Sequence, residues 1–476
     1  MGERRIRSTK LVATIGPACS SVETIGEMIR AGMNVARLNL SHATHADHAA
    51  LAASVREASA AEGVPVAIMA DTKGAEVRTG DVQGGRAELE EGASFTLFTE
   101  ARSGDAHGVS VSHAELPSEV SAGSAIFLDD GRIELRVERI TRGAIECRVV
   151  QGGVLTSRKG LSAPGARLNP AAMGRDDLKD LLFAVELGVD YLAASFVKSA
   201  ADVLVIREIL RGQGAAIPVI AKIENHEAVA RLAEILDIAD GAMVARGDLG
   251  VDLPLERVPI VQKEIIRATV GRGKPVITAT QMLDSMERNP IPTRAEVNDV
   301  ANAILDGTSA VMLSGETAVG SYPVEAVRTM AAIALEAEGS LREYGHLQQI
   351  RSEPSHAVTE AVSQAAITMA NHLQAAAIVT LTESGFTSRS ISKYRPRCPI
   401  LAVSASPRVV RRLSLNWGVT AVLFEGERSD ETMVQCGVRR GLELGYLRLG
   451  DVVVVTEGVS RRTGSTNMIR VLTVED

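Results

Sequence analysis

A lysine and a glutamate, Lys222 and Glu224, stand two residues apart in the apolar run P-V-I-A-K-I-E-N-H-E, which spans Pro218 to Glu227. Residues two apart on a β-strand point to the same face, so these side chains would project side by side. A solvated ion pair is the usual role of such a pair, but the apolar flanks argue against exposure. A buried ion pair adds little net stability. The pair is therefore either a structural ion pair or the centre of an active site.

A third charged residue, Asp248, closes the next apolar segment in G-A-M-V-A-R-G-D-L-G. The carboxylates of Glu224 and Asp248 are hard oxygen ligands of the kind that Mg²⁺ binds. A lysine beside that metal suits phosphoryl transfer, because the charge on the transferred group is then neutralised from two sides. Gly247 is expected to leave its backbone N–H free for a substrate carboxylate. The rival hypothesis is an aldolase or lyase in which Lys222 forms a Schiff base, although neighbouring carboxylates should keep Lys222 protonated.

A second polar cluster lies in M-N-V-A-R-L-N-L-S-H and A-D-T-K-G-A-E-V-R-T-G. It combines two guanidinium groups, which suit a phosphate, with oxygen donors, which suit a weakly hydrated cation: Arg37, Asn39, Ser41, Asp71, Thr72 and Arg78. Three histidines follow at a spacing of three, His42, His45 and His48. Solvated or helix-capping roles account for them better than a metal site.

The elements that must position these residues recur as short β-branched segments with amphipathic helical stretches between them. Eight such units predict a (β/α)₈ TIM barrel, and polar residues gather at the carboxyl ends of the segments, where barrel active sites are built. The segments are L-V-A-T-I, N-V-A-R-L-N-L, V-A-I-M-A-D-T, Y-L-A-A-S-F, V-I-A-K-I-E, A-M-V-A-R-G-D, V-I-T-A-T-Q and A-V-M-L-S-G-E.

Two further units interrupt and follow this pattern. Residues 73–168 alternate apolar and polar residues between turns, with Asp130-Gly131 as a hairpin signal, and predict an inserted small β-barrel domain that acts as a lid. Residues 341–476 predict a C-terminal α/β domain with an open sheet. The catalytic barrel is then formed by residues 1–72 and 169–340.

In the C-terminal part, a strand runs into the loop of L-T-E-S-G-F-T-S-R, which opens a helix. Free N–H groups at such a helix start favour an anion. Ordinary capping of the helix by Ser or Thr is the alternative interpretation.

Composition excludes several classes of protein. The net charge is −8 and no Lys/Arg-dense face is visible, so no nucleic-acid partner is expected. No apolar stretch reaches the length of a membrane span, and the run Leu11 to Ile15 is shorter than a signal peptide needs. The four cysteines have no CxxC spacing, which favours inert thiols in a reducing cytoplasm.

Taken together, these motifs resemble the pyruvate kinase family over nearly the whole chain. The resemblance is carried by T-I-G-P-A, M-N-V-A-R-L-N-L-S-H, D-T-K-G-A-E-V-R-T-G, V-I-A-K-I-E-N-H-E, M-V-A-R-G-D-L-G-V-D, P-V-I-T-A-T-Q-M-L-D-S-M and T-R-A-E-V-N-D-V-A-N-A-I-L-D-G-T-S-A-V-M-L-S-G-E-T-A. It implies transfer of phosphate from phosphoenolpyruvate to ADP, giving pyruvate and ATP in the last step of glycolysis. A catalytically silent paralogue that only binds a phosphorylated ligand is the alternative, and the intact catalytic set counts against it.

The resemblance also implies roles for residues. Glu224 and Asp248 would hold Mg²⁺, Lys222 would stabilise the phosphoryl group, Arg37 would grip it and Thr280 would help to protonate the enolate. The substrate would contact Arg37, Lys222, Gly247, Asp248 and Thr280, and the nucleotide would contact Arg78, Asn39 and His42. A K⁺ site is expected at Asn39, Ser41, Asp71 and Thr72, and a phosphorylated allosteric effector at Thr382, Ser384, Gly385 and Thr387. Family members are usually homotetramers.

Four positions matter for how far the resemblance extends. Glu76 stands where relatives without a K⁺ requirement tend to carry lysine, so K⁺ dependence is expected. Val319 stands in place of a usual lysine, which removes a positive charge near the expected nucleotide phosphates. Ala75 stands in place of a usual proline at the entry to the insertion, and Ala43 in place of a usual glycine after Ser-His.

Overall fold

A computed structural model of the chain describes residues 6–74, 77–129, 131–164, 175–345, 357–458, 464 and 466–475. Three residues singled out in the sequence, Ala75, Glu76 and Asp130, lie outside the described residues, as does Leu168 at the end of the predicted insertion. The predictions that depend on them therefore stay predictions.

The described strands are short, most of them four to six residues. In chain order they are β1 (Lys10–Thr14), β2 (Val35–Asn39), β3 (Ala67–Asp71), β4 (Arg86–Leu89), β5 (Ser94–Phe98), β6 (Gly108–Ser110), β7 (Ala125–Leu128), β8 (Ile133–Thr141), β9 (Ala144–Gln151), β10 (Gly153–Thr156), β11 (Leu161–Ser162), β12 (Tyr191–Ala194), β13 (Val219–Ile223), β14 (Gly241–Ala245), β15 (Val276–Ala279), β16 (Ala310–Leu313), β17 (Ala377–Leu381), β18 (Ile400–Ser404), β19 (Val419–Leu423), β20 (Val452–Glu457) and β21 (Met468–Thr473).

The described helices lie mainly between the strands of the two α/β units. They are α1 (Val22–Ala31), α2 (His45–Glu62), α3 (Leu116–Glu119), α4 (Arg175–Glu186), α5 (Ala200–Gly212), α6 (His226–Ala230), α7 (Leu232–Ile238), α8 (Arg246–Asp252), α9 (Val258–Gly271), α10 (Arg294–Leu305), α11 (Gly315–Ala318), α12 (Pro323–Gly339), α13 (Leu341–Tyr344), α14 (Ala357–His372), α15 (Phe386–Lys393), α16 (Pro407–Leu413) and α17 (Asp430–Glu443). None of them is long and apolar enough to cross a membrane.

Eight parallel strands close into a barrel in the order β1, β2, β3, β12, β13, β14, β15, β16 and back to β1. These are the eight segments that the sequence predicted, so the TIM barrel is confirmed. Their residues are apolar almost throughout because a parallel strand is buried on both faces. One set of side chains, including Val12, Val35 and Met69, fills the barrel interior, and the other packs against the surrounding helices.

Between β3 and β12 lies the predicted insertion, which consists of β-strands. A six-stranded sheet, in the order β11, β7, β8, β9, β5, β6, and a two-stranded ladder of β4 and β10 enclose a single apolar core. The insertion therefore follows the carboxyl end of β3 and precedes α4, which leads to β12.

The C-terminal part forms an open five-stranded sheet in the order β19, β18, β17, β20, β21. The first four strands are parallel, and β21 pairs antiparallel with β20. This confirms the separate α/β unit with an open sheet.

Candidate active site

Lys222 lies near the carboxyl end of β13 with its ammonium group among oxygen atoms of three elements. Its Nζ donates to Ser195 Oγ at 2.7 Å and lies 3.3 Å from Asp71 Oδ1 and 3.3 Å from Glu224 Oε2. Only 13% of the Lys222 side chain is exposed. The sequence pair is thus part of a buried cluster at the rim of the barrel, to which the carboxyl ends of the neighbouring strands β3, β12 and β13 contribute.

The charge state of Lys222 follows from this surrounding. Burial opposes the charged form, but the carboxylates of Asp71, Glu224 and Asp248 raise the pKa of Lys222 above its ordinary value. The lysine is therefore a permanent cation at neutral pH. This counts against the Schiff-base alternative, which needs an unprotonated amine.

The two carboxylate oxygens of Glu224 have different surroundings. Its Oε1 accepts the backbone N–H of Phe196 at 2.5 Å, whereas its buried Oε2 makes no hydrogen bond. Burial raises the pKa of Glu224, and the charge of Lys222 offsets this only in part. A buried carboxylate oxygen without a hydrogen bond fits a cation ligand.

Asp248 lies in the first turn of α8, directly after β14. Its charge contributes to the pKa values of both Lys222 and Glu224, so the three charged groups form one electrostatic unit. Two carboxylates on neighbouring strand ends suit Mg²⁺, which keeps water or substrate in its remaining positions. The proposed site has two protein carboxylates. Within the part of the chain that the structure describes, no cluster of three or more His, Cys, Asp or Glu side chains is suited to a metal.

Arg37 and Asp71 join the second sequence cluster to the first. Arg37 Nε donates to Asp71 Oδ2 at 2.7 Å, and its Nη1 donates to Thr14 Oγ1 at 3.0 Å. Burial alone would raise the pKa of Asp71, but the charges of Lys222 and Arg37 hold it below its usual value. Asp71 is therefore an anion that aligns both cations.

The other oxygen donors of this cluster lie at the ends of β2 and β3. Asn39 and Asp71 lie opposite each other on the paired strands β2 and β3. Asn39 Oδ1 accepts the N–H of Ser41 at 3.3 Å, and Thr72 Oγ1 donates to the carbonyl of Ala193 at 3.3 Å. The structure thus brings Asn39, Ser41, Asp71 and Thr72 to one edge of the barrel.

Thr280 follows β15 in a left-handed conformation, with φ of 69°, and so does Gln281, with φ of 52°. This region is unfavourable for a β-branched side chain. Thr280 Oγ1 donates to the carbonyl of Ala279 at 2.7 Å and accepts the backbone N–H of Gly247 at 2.9 Å. The N–H of Gly247 is therefore not free, contrary to the expectation from sequence, because the turn at Thr280 brings the hydroxyl onto it.

Arg246 holds this strained turn in place, and the sequence reasoning did not single it out. Its guanidinium donates to the carbonyl oxygens of Ala279, Thr280 and Gln281 at 3.2, 2.6 and 3.2 Å and to Asp299 Oδ2 at 2.6 Å. The only signal was an arginine at the polar end of V-A-R-G-D.

Two other polar residues at strand ends, Ser195 and Glu316, make hydrogen bonds to neighbouring loops of the barrel rim. Ser195 bridges Lys222 and the carbonyl of Thr72, to which it donates at 2.7 Å. Glu316, which is buried, accepts the N–H groups of Ser314 and Leu283 at 2.7 and 3.1 Å.

The three histidines have separate surroundings. His45 Nε2 lies 2.7 Å from Asp180 Oδ1, and the ring stacks on Phe183 with 4.2 Å between centroids. His48 Nε2 lies 2.7 Å from the carbonyl of His42. Burial and then the charges of Arg78 and Arg37 lower the pKa of His42, so His42 is neutral and lies in a positively charged region.

The predicted effector loop precedes α15. Gly385, with φ of 79°, occupies the N-cap position, and no side chain caps the helix there. Thr382 Oγ1 accepts the N–H of Gly385 at 2.8 Å, and the hydroxyl of Thr387 bonds to that of Thr466 at 2.5 Å. The alternative interpretation, in which a Ser or Thr side chain caps α15 at its N-cap position, therefore does not apply. Ser384 directly precedes Gly385 in the same turn.

Comparison with known proteins agrees with this arrangement. A family model described as pyruvate kinase, barrel domain, matches residues 6–327, and a second, described as pyruvate kinase, alpha/beta domain, matches residues 360–472. The chain is 48% identical over 474 residues to a pyruvate kinase of Geobacillus stearothermophilus, an alignment that covers 99% of this chain and 81% of the relative. It is 44% identical over 473 residues to a pyruvate kinase of Clostridium acetobutylicum, covering 99% of this chain and 100% of the relative.

Proposed function

The chain belongs to the pyruvate kinase family, and we propose from this the roles of its site residues in the reaction. The enzyme is a phosphotransferase that moves the phosphoryl group of phosphoenolpyruvate to ADP and forms pyruvate and ATP. The observation that carries the proposed roles is the buried cation Lys222, which lies 3.3 Å from both Asp71 and Glu224.

Lys222 and Arg37 are proposed to bind the phosphoryl group. Asp71 contacts both side chains, so their positive charges are fixed before the substrate arrives. Groups aligned in advance stabilise the charge of the transferred phosphoryl without reorganisation during the reaction.

Glu224 and Asp248 are the residues proposed to hold Mg²⁺. The buried Oε2 of Glu224, which lies 3.3 Å from Lys222 Nζ but makes no hydrogen bond, supports this assignment. When bound, the metal neutralises negative charge on the phosphoryl and enolate oxygens.

Thr280 is proposed to help deliver the proton that converts the enolate of pyruvate to the ketone. Its hydroxyl lies at the carboxyl end of β15 and is oriented by the carbonyl of Ala279 and the N–H of Gly247. Asp248 would contact the substrate from the start of α8, as would Gly247, whose N–H donates to Thr280 in this structure and would have to turn from that hydroxyl to the substrate.

K⁺ is proposed to bind at Asn39, Ser41, Asp71 and Thr72, and the nucleotide at Arg78, Asn39 and His42. The shared edge of β2 and β3 supports the first assignment. The effect of Arg78 on the pKa of His42 supports the second, because it implies that the two side chains are close.

The remaining features are proposed from the family. They comprise a place in the last step of glycolysis, a homotetramer in the cytoplasm, a phosphorylated effector at Thr382, Ser384, Gly385 and Thr387, and the domain limits 1–72 with 169–340, 73–168 and 341–476. The uncapped start of α15 supports an anion at the effector loop.

The test is a coupled assay of pyruvate formation from phosphoenolpyruvate, ADP and Mg²⁺, with and without K⁺. We expect activity that depends on K⁺. Lys222→Met should abolish turnover but leave Mg²⁺ binding largely intact, because the metal ligands remain. Lys179→Met, which changes an exposed lysine on α4, is the control. Retained turnover in Lys222→Met would contradict the role of the lysine.

A further inference from the structure

A cavity of about 230 Å³ lies between the barrel and the C-terminal domain, at the amino ends of β14 and β15 and therefore on the face opposite the candidate active site. On the barrel side it is lined by the end of α9 and the turn that leads to β15. On the other side, Phe386, Arg389, Ser390 and Lys393 of α15 face it. These residues fall on one side of the helix, since positions three, four and seven apart align.

The charged side chains that line this cavity are four cations and two carboxylates, namely Arg272, Lys274, Arg389, Lys393, Asp237 and Glu360. Arg272 pairs with Asp237 at 3.0 Å, and Lys393 pairs with Glu360 at 2.9 Å. Two cations, Lys274 and Arg389, then remain without a carboxylate partner among the residues that the structure describes.

The partners of these two cations are backbone carbonyl groups. Lys274 Nζ donates to the carbonyl oxygens of Leu236 and Ala239, the latter at 2.7 Å, and Arg389 Nη1 donates to that of Ser384 at 3.1 Å. Burial lowers the pKa of both side chains. Both side chains are half-buried, and the carboxylate that acts on both, Asp240, is itself paired with Arg207. A partly desolvated cation without a paired carboxylate is costly, so this cavity favours an anion.

We propose that this interdomain cavity is a binding site for a small phosphate monoester, held by Arg389 and Lys274. A guanidinium matches the geometry of a phosphate, and an ammonium adds a second charge. The cavity is smaller than the roughly 300–1,000 Å³ of pockets for drug-sized ligands, which suits a compact anion. Arg389 also contacts the effector loop through the carbonyl of Ser384, so a variant on the barrel side of the cavity is needed to separate the two sites.

The test is isothermal titration calorimetry of the full chain with glycerol 2-phosphate and, separately, inorganic phosphate. We expect saturable binding of both, with the monoester at least as tight. Arg389→Met should weaken binding by about tenfold or more, because it removes a charge-assisted contact. Arg267→Met, an exposed arginine on α9 outside the cavity, should leave it unchanged.

A barrel-side variant separates this site from the effector loop. Gly271 lines the cavity, and a Cβ there meets no atom within 4 Å, so Gly271→Leu should fill the cavity without disturbing residues 382–387. Weakened binding in both Gly271→Leu and Arg389→Met supports the proposal, with circular dichroism to show that each variant is folded. Binding that is unchanged in Gly271→Leu, binding of inorganic phosphate alone, or no binding by the wild type would overturn it.

Discussion

At the scale of single residues, the site depends on side chains that act through others. Arg246 contacts three successive carbonyl groups, those of Ala279, Thr280 and Gln281, and two of these residues have positive φ. A turn held in an unfavourable conformation persists only where its surroundings determine it. Arg246 is therefore a positioning residue for Thr280.

We predict that Arg246→Lys lowers kcat by about tenfold or more, because one ammonium group cannot span Asp299 and three carbonyl groups. The exchange of the C3 protons of pyruvate with solvent, for which Thr280 is the proposed proton donor, should fall in parallel. The concentration of Mg²⁺ for half-maximal activity should not change, since Glu224 and Asp248 are untouched. Arg267→Lys is the matched control, and unchanged proton exchange in Arg246→Lys would contradict this role.

At the scale of elements, the sequence predicted the eight barrel strands and the residues at their ends because both follow from local pattern. Apolar β-branched runs mark buried parallel strands, and a polar residue at the carboxyl end of such a run lies where barrel active sites are built. What local pattern could not show is which strand ends meet. The contact of Lys222 with Ser195 and Asp71 depends on the pairing of β12 with β3 across the long insertion, and the use of the Gly247 N–H by Thr280 depends on the conformation of a turn.

The turn between β2 and α2 provides a test at this scale. Ala43 is exposed and has φ of 60°, a conformation that glycine adopts without strain. We predict that Ala43→Gly raises the apparent melting temperature by about 1–3 °C, equivalent to about 0.5–1 kcal/mol, and leaves activity unchanged.

The control for Ala43→Gly is the same change in the middle of the helix that follows. Ala53 is an exposed residue within α2, where glycine costs about 0.5–1 kcal/mol, so Ala53→Gly should lower the melting temperature. Two shifts of the same sign would show that the conformation of Ala43 is not the cause.

At the scale of the whole molecule, the C-terminal domain is joined to the amino-terminal face of the barrel by polar contacts. The buried carboxylate of Asp190 accepts from Arg56 of the barrel and Arg411 of α16, each at 2.8 Å. Tyr191 Oη donates to the carbonyl of Arg412 at 2.6 Å. This interface contains the proposed anion cavity, so a ligand there would contact both domains.

Lys10 contributes to the same interface. Its Nζ donates to the carbonyl of Val419 at 2.7 Å, and burial, with a smaller effect of Arg7, lowers the pKa of Lys10 from 10.5 to about 7. Between these pH values the unfolded chain binds more protons at this lysine than the folded chain does. The contribution of Lys10 to stability therefore becomes more favourable as the pH rises from 7 towards 10.5.

We predict that the free energy of unfolding of Lys10→Met exceeds that of the wild type by the largest amount at pH 7 and below, because the wild type then carries the full cost of a buried charge. This difference should decrease steadily up to pH 9.5, as Lys10 in the folded wild type loses its proton. Burial lowers the pKa of Arg7 to about 10, but Arg7 is present in both proteins, so its own titration cancels in the difference between them. The measurement is the urea midpoint of both proteins at pH 7, 8 and 9.5, with Lys179→Met as the exposed control. A difference between Lys10→Met and the wild type that stays constant with pH would mean that Lys10 keeps its charge in the interface.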